Sequence, residues 1–389
     1  MRYPLLNYLR GVAAVWVFAH HLAWSRADVT APGVILRGYF GVPMFFVISG
    51  FCLAAAARQA RDRGDSMGTF LTRRLLRVYP PLWAALGVAV VVYAFGPAFG
   101  WPAGPFGAEY APPSWAERPA GDWLGTMTLT QAFTGVGEYP WRKFLFVNIV
   151  LWTLAIEVQF YLVVALALLA GRWSRLVIGV VTAAAIPVGF LPGAFQSGLF
   201  LPHWPMFALG LALYAGIERW PLSRPRTLRI AGLVAAAVFL AIGLVIAPAD
   251  PDIGPGMVAG ELIFATGLAA GLWLLWDVGP PRILTGWFVG PLVAAVSYAG
   301  TVSYSLYLLH VPLLQPARSV VSATGFGDWL VDGLVVVVVL AVCYPFHRWF
   351  ERPWTSSARR GSAGPGGATL LPSELGPTDP ASRCLNNAA

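Results

Sequence analysis

Charge is what this sequence has least of. Only 11% of its 389 residues are charged, against roughly one quarter in soluble domains. Lysine is represented once, by Lys143. So few ionisable side chains exclude an ordinary water-soluble domain of this length. Cysteine is also scarce, at Cys52, Cys343 and Cys384. Two lie in apolar segments and one near the end, so neither a disulfide framework nor a metal-binding spacing is present. Acidic residues number 18 against 26 basic ones, for a net charge of +8. The arginines fall between apolar runs, where orientation in a bilayer explains them, and no nucleic-acid partner is expected. No internal repeat and no inverted pair of halves is visible.

What the chain does contain is apolar length. Hydrophobic residues make up 57%, with 17 Trp and 13 Tyr that suit aromatic belts at two membrane interfaces. Ten runs are long enough to be considered as spans: 5–24, 38–57, 80–99, 145–170, 176–192, 204–217, 228–247, 257–276, 292–314 and 329–350. The segment 123–135 is shorter and reads as re-entrant or interfacial. The expected fold class is an all-α integral membrane protein, about ten transmembrane helices in one bundle with both termini cytoplasmic. Under that orientation only Arg26, Arg37, Arg118, Arg142, Lys143 and Arg318 face outward, and the remaining basic residues face the cytoplasm, a strong positive-inside bias. Arg2 and the apolar run after it resemble a signal peptide. Arg10 and two histidines interrupt that run, however, and no small-residue cleavage site follows, so a retained first helix is expected. Residues 1–354 form the expected transmembrane domain. Residues 355–389, rich in Gly, Ser, Pro and Ala, form an expected disordered cytoplasmic tail.

Ionisable groups inside apolar runs are costly and point to function. Arg10 and His21 lie eleven residues apart. On a helix that is about three turns plus 20° and a rise of about 16 Å, so both side chains share one face. His20 falls about 80° away. Histidines anchored at a membrane boundary beside Trp24 are the plainer alternative. In GYFGVPMFFVISGF, Gly38, Gly41 and Gly50 allow close backbone approach, which ordinary helix packing also requires. In FLTRRLLRVYPPLW, Arg74 and Arg77 are three residues apart and share a helix face, with Arg73 beside them. Guanidinium forks suit phosphates, so the three are candidates for holding a donor such as coenzyme A at a cytoplasmic helix end. Anchoring to acidic lipid headgroups explains them equally well.

Glu157 sits deep in the fourth run, with Tyr161 one turn on. A carboxylate there needs a partner, and Tyr161, Arg10 or His21 can serve. The ninth run carries Tyr304, Tyr307 and His310, with Pro312 placed to kink it. Tyr161, Tyr304 and His310 are candidate substrate-binding residues, although hydrogen bonding between helices accounts for such groups too. Glu351, near Arg348 and Arg352, reads as a structural ion pair.

In this order the segments resemble the acyltransferase-3 family of integral-membrane acyltransferases. Arg10 and His21 match its opening arginine and histidine. GVPMFFVISGF is similar to the family's GVDLFFVLSGF, with Pro43 where aspartate is common. TRRLLRVYP matches an RxxR segment through Arg74 and Arg77. WTLAIEVQFY is similar to WSLSVEEQFY and keeps the first acidic position at Glu157, with Val158 replacing the second. SYSLYLLHVPLL and FERP resemble the closing motifs. The resemblance implies a ten-helix bundle, an acyl-CoA donor (by default acetyl-CoA), a hydroxyl acceptor often on a sugar, and His21 as the leading catalytic residue. It names neither a bound cofactor nor a metal.

The expected activity is therefore membrane-embedded O-acyl transfer from cytoplasmic acyl-CoA to a glycan or glycosylated acceptor. His21, neutral near its unperturbed pKa of about 6.5, is the expected general base. Arg10 is expected to bind the donor or set the local field, and Glu157 to hold the imidazole tautomer or the acceptor. Arg73, Arg74 and Arg77 hold donor phosphates, and membrane lipid surrounds the whole. The rival reading is a proton-coupled transporter of a small polar solute using His21 and Glu157.

Overall fold

The computed structural model describes residues 4–25, 31–101, 119–133, 147–194, 197–219, 225–247, 254–276 and 290–354. Among these every regular element is helical. The segment 355–389 and most of the long loop 100–143 lie outside the described residues. The long helices are α1 Pro4–Trp24, α2 Gly41–Asp62, α3 Met67–Phe95, α4 Leu151–Leu169, α5 Ser174–Gly189, α6 Trp204–Arg219, α7 Arg226–Ile246, α8 Pro255–Leu275, α9 Gly290–Thr301, α10 Ser303–Ser322 and α11 Asp328–Phe346.

Each of the ten expected segments contains a helix, but length and apolarity separate them. Six helical stretches, those holding α2, α3, α4, α7, α8 and α11, are long and apolar enough to cross a bilayer. The bent pair α9–α10 makes a seventh if counted as one span. The others fall short for local reasons. The helices α5 and α6 have 16 residues each, below the roughly 20 that a bilayer asks of a helix. In α1, Asn7, Arg10, His20 and His21 dilute the apolar run. The described residues are thus those of an all-helical, multi-pass membrane protein with six or seven spans by length, and the expected count of ten is not reached among them on that measure.

Two boundaries differ from expectation in ways that matter for the site. Helix α3 starts at Met67, well before residue 80, because Ser66 caps it by accepting a hydrogen bond from the Thr69 amide at 3.1 Å. Pro80 and Pro81 therefore lie inside the helix. The arginines, expected at a helix end, are carried within its first half. The run 292–314 is broken at Val302 by an 83° bend, and α10 continues through Pro312 and Pro316 to Ser322. The break follows Ser297, whose carbonyl accepts from Asn7 Nδ2 at 2.8 Å and from Thr301 Oγ1 at 3.0 Å. A threonine hydroxyl bonded back to the carbonyl four residues earlier is an arrangement that commonly bends helices.

Small residues let the site-bearing helices meet. Gly50 of α2 lies on the Phe207 carbonyl of α6, and Gly210 of α6 lies on Val47, so a Cβ at either would overlap backbone. The glycines read as close-approach positions do serve that purpose, as membrane helix packing demands. The outer segment Ala120–Thr128 is helical. It rests on α3 through Tyr79 Oη to the Thr128 carbonyl at 2.8 Å and Trp83 Nε1 to the Met127 carbonyl at 3.0 Å.

Candidate active site

Five helices bring their polar residues to one partly open cavity of about 90 Å³, enough for several waters by the usual volume requirement. Arg10 enters from α1, Ser49 from α2, Arg74 and Arg77 from α3, Thr153, Glu157 and Tyr161 from α4, and Tyr304 and Tyr307 from α10. The carboxylate is tied down: Glu157 Oε1 accepts from Tyr161 Oη at 2.7 Å and from Ser49 Oγ at 3.1 Å. Tyr304 Oη donates to the Val78 carbonyl at 2.9 Å. Tyr307 Oη donates to the Val150 carbonyl at 2.9 Å and lies against Thr153 Oγ1.

The guanidiniums are different. Among the described residues, no hydrogen bond or close ion pair ties Arg10, Arg74 or Arg77 to another side chain. Glu157 and Glu351 act on Arg10 and Arg77 only through the field. Three cations line the cavity with one carboxylate, and positive charge remains in excess even with Glu351 counted. Charges removed from water cost several kcal/mol each unless met by partners, so this cavity is chemically suited to an anion.

Arg73, grouped by sequence with Arg74 and Arg77, is not part of that cavity. It pairs with Asp65, which also holds Arg63 at 2.9 Å. Neighbouring helix positions point about 100° apart, so Arg73 faces the α2–α3 connection while its neighbour faces inward. Glu351 also has partners other than those its neighbours in sequence suggest. It is buried, with Oε2 accepting from Ser305 Oγ at 2.7 Å and lying 2.9 Å from His347 Nδ1 within one π-helical turn, His347–Glu351. The flanking-arginine pair expected of it gives way to these partners.

His21 lies outside the cavity lining and meets a partner that the sequence did not reveal. Its Nδ1 is 2.9 Å from the Val17 carbonyl and 3.3 Å from His310 Nε2. His310 Nδ1 is 2.9 Å from the Leu306 carbonyl. A carbonyl only accepts, so each Nδ1 carries a proton when the ring is neutral. His310 Nε2 is then an acceptor facing the His21 Nδ1–H, and the lone pair of His21 is on Nε2. The element expected to hold that tautomer, Glu157, is occupied by Ser49 and Tyr161 instead. The two regions are joined by Tyr307, which lines the cavity and has its ring centroid 6.0 Å from that of His310. His20 is buried against Tyr39 and Trp24, off the Arg10–His21 face as the helical spacing requires.

The acyltransferase domain family matches residues 3–348 of this chain. The chain is 23% identical over 387 residues to the peptidoglycan O-acetyltransferase OatA of Listeria monocytogenes, covering 90% of this chain and 55% of that protein. It is 25% identical over 352 residues to BcsY of Komagataeibacter xylinus, a proposed membrane-bound transacylase, covering 87% and 79%. Over 86 residues, 21% of each chain, it is 40% identical to the acyltransferase MdmB of Streptomyces mycarofaciens. This chain therefore spans little more than half the length of the Listeria relative. No solved structure matches it. With a match over most of its length and the arginine, glutamate and histidine positions gathered around one cavity and its neighbouring imidazole pair, the chain belongs to the acyltransferase-3 family.

Proposed function

We propose that this protein is a cell-membrane O-acyltransferase that moves an acyl group, acetyl by default, from cytoplasmic acyl-CoA to a hydroxyl of a glycan or glycosylated acceptor. The observation that carries the reading is the cavity with three unpartnered guanidiniums, one aromatic layer away from a paired imidazole. Arg10, Arg74 and Arg77 bind the donor phosphates by charge-assisted hydrogen bonds. The flexible pantetheine arm brings the thioester past Tyr307 towards His21. His21 Nε2 takes the proton of the acceptor hydroxyl as that oxygen attacks the thioester carbonyl. The C–S bond then breaks, and the departing thiolate takes the proton back from the imidazolium. The Val17 carbonyl holds the His21 Nδ1–H and so keeps the productive tautomer, while His310 Nε2, 3.3 Å from the same nitrogen, shares that N–H and supports the transient cation, the role a carboxylate fills in a catalytic triad. Tyr161 and Tyr304 shape the cavity wall, and Glu157 holds the electrostatic balance against the arginines.

Support for a carbohydrate acceptor comes from the peptidoglycan named for the Listeria relative. Family membership also favours acyl transfer over proton-coupled transport, since the same acid and imidazole groups serve both. The test is to incubate membranes containing the protein with labelled acetyl-CoA and glycan fragments. Stable label on the glycan is expected from the native protein and not from His21→Ala. Equal transfer by a correctly inserted His21→Ala protein rejects the mechanism, and vesicle uptake of a solute without acylation rejects the activity.

A further inference from the structure

A second, larger groove of about 960 Å³ opens between α2, α4, α5 and α6. Its wall is apolar, with Leu168, Ile178 and Leu211 along it, and its mouth is basic. Arg58 at the mouth is already neutralised by Glu218 and lies 3.7 Å from Asp62. Arg61, Arg175 and Arg219, from the ends of three different helices, also line it. None of these three has a hydrogen bond or ion pair among the described residues. All of them are at the end that the positive-inside bias assigns to the cytoplasm.

We infer that this groove is a binding site for an anionic glycerophospholipid of the cytoplasmic leaflet. The headgroup phosphate sits on Arg61, Arg175 and Arg219, and one acyl chain lies along the apolar wall. Three features support one lipid molecule over a loose annular layer. The surplus of positive charge is concentrated at one mouth, the apolar volume lies directly beneath it, and the wall is open where a chain would run. At Gly179 on that wall an added side chain would meet nothing within 4 Å. Each arginine at a membrane surface contributes roughly five-fold in affinity for an acidic lipid. The site is independent of the acyl-transfer reading.

The test is native mass spectrometry of the full chain in mild detergent, titrated with phosphatidylglycerol or phosphatidylcholine of the same acyl composition. The native protein is expected to retain one phosphatidylglycerol with at least about ten-fold preference over phosphatidylcholine. Arg175→Gln combined with Arg219→Gln should abolish the preference, and Gly179→Leu, which fills the groove without altering charge, should reduce retention of both lipids. Arg172→Gln, whose guanidinium lies over the Trp173 ring, is the matched charge control and should behave as native. If the double variant fails to insert, the native preference and Gly179→Leu decide the matter. Equal retention of the two lipids by the native protein, or native-like retention by Gly179→Leu, overturns the proposal.

Discussion

The arginine cavity and the histidine pair are adjacent but built on opposite terms. In the cavity, positive charge exceeds what the protein supplies to meet it, and the one carboxylate, Glu157, is already occupied by Tyr161 and Ser49. At the histidine pair, backbone carbonyls of Val17 and Leu306 decide where each proton sits when the rings are neutral. An excess of charge suits binding an anion. A defined neutral tautomer suits moving a proton. On the proposed reading, the two tasks of an acyl transferase, holding a charged donor and activating a neutral acceptor, fall to separate clusters with Tyr307 between them.

That division can be broken by experiment. The largest effect belongs to His21→Ala, which should lower kcat by about 10²–10⁴-fold, the usual weight of a general base, with the KM for acyl-CoA unchanged. A comparable rise in that KM would show that His21 holds donor and that the two clusters are one. Next come Arg74→Ala and Arg77→Ala. Losing a hydrogen bond to a charged group costs about 1.5–3 kcal/mol, so each should raise the KM for acyl-CoA by roughly 10–150-fold with a smaller change in kcat. Steady-state kinetics in nanodiscs measures both. His310→Ala should follow, with kcat down about ten-fold for one neutral hydrogen bond and KM unmoved. His310→Gln, which retains an acceptor, should recover most of the loss. Equal losses in both would assign His310 to packing alone. The smallest effect is expected of Arg73→Gln. Its partner Asp65 lies outside the cavity, and ion pairs near a surface contribute about 0–1 kcal/mol, so activity should stay within about two-fold. A loss as large as that of Arg74→Ala would return Arg73 to the donor site.

Much of this was legible from residue spacing. The shared face of Arg10 with His21, and of Arg74 with Arg77, follows from the helical repeat. The hydrogen bond of Tyr161 to Glu157 is an i, i+4 contact that the repeat also anticipates. The same repeat, applied strictly, points Arg73 away from Arg74, which agrees with its pairing to Asp65 outside the cavity. The helix start at Met67 is not encoded in apolar length, because the Ser66 cap extends α3 into its basic stretch. The His21–His310 pairing, the Ser49–Glu157 bond and the burial of Glu351 join residues far apart in sequence, and no local pattern encodes such contacts. The bend at Val302 depends likewise on Asn7, a residue on another helix.

That bend ties the two histidines to a common support. Asn7 on α1 grips the Ser297 carbonyl, and its backbone is packed directly under Gly300. The helix bearing His21 therefore also sets the angle at which α10 departs with His310. The two imidazoles are aligned from a single anchorage near the opposite end of the first helix, so their relative orientation is inherited from α1 rather than negotiated between two independently placed rods.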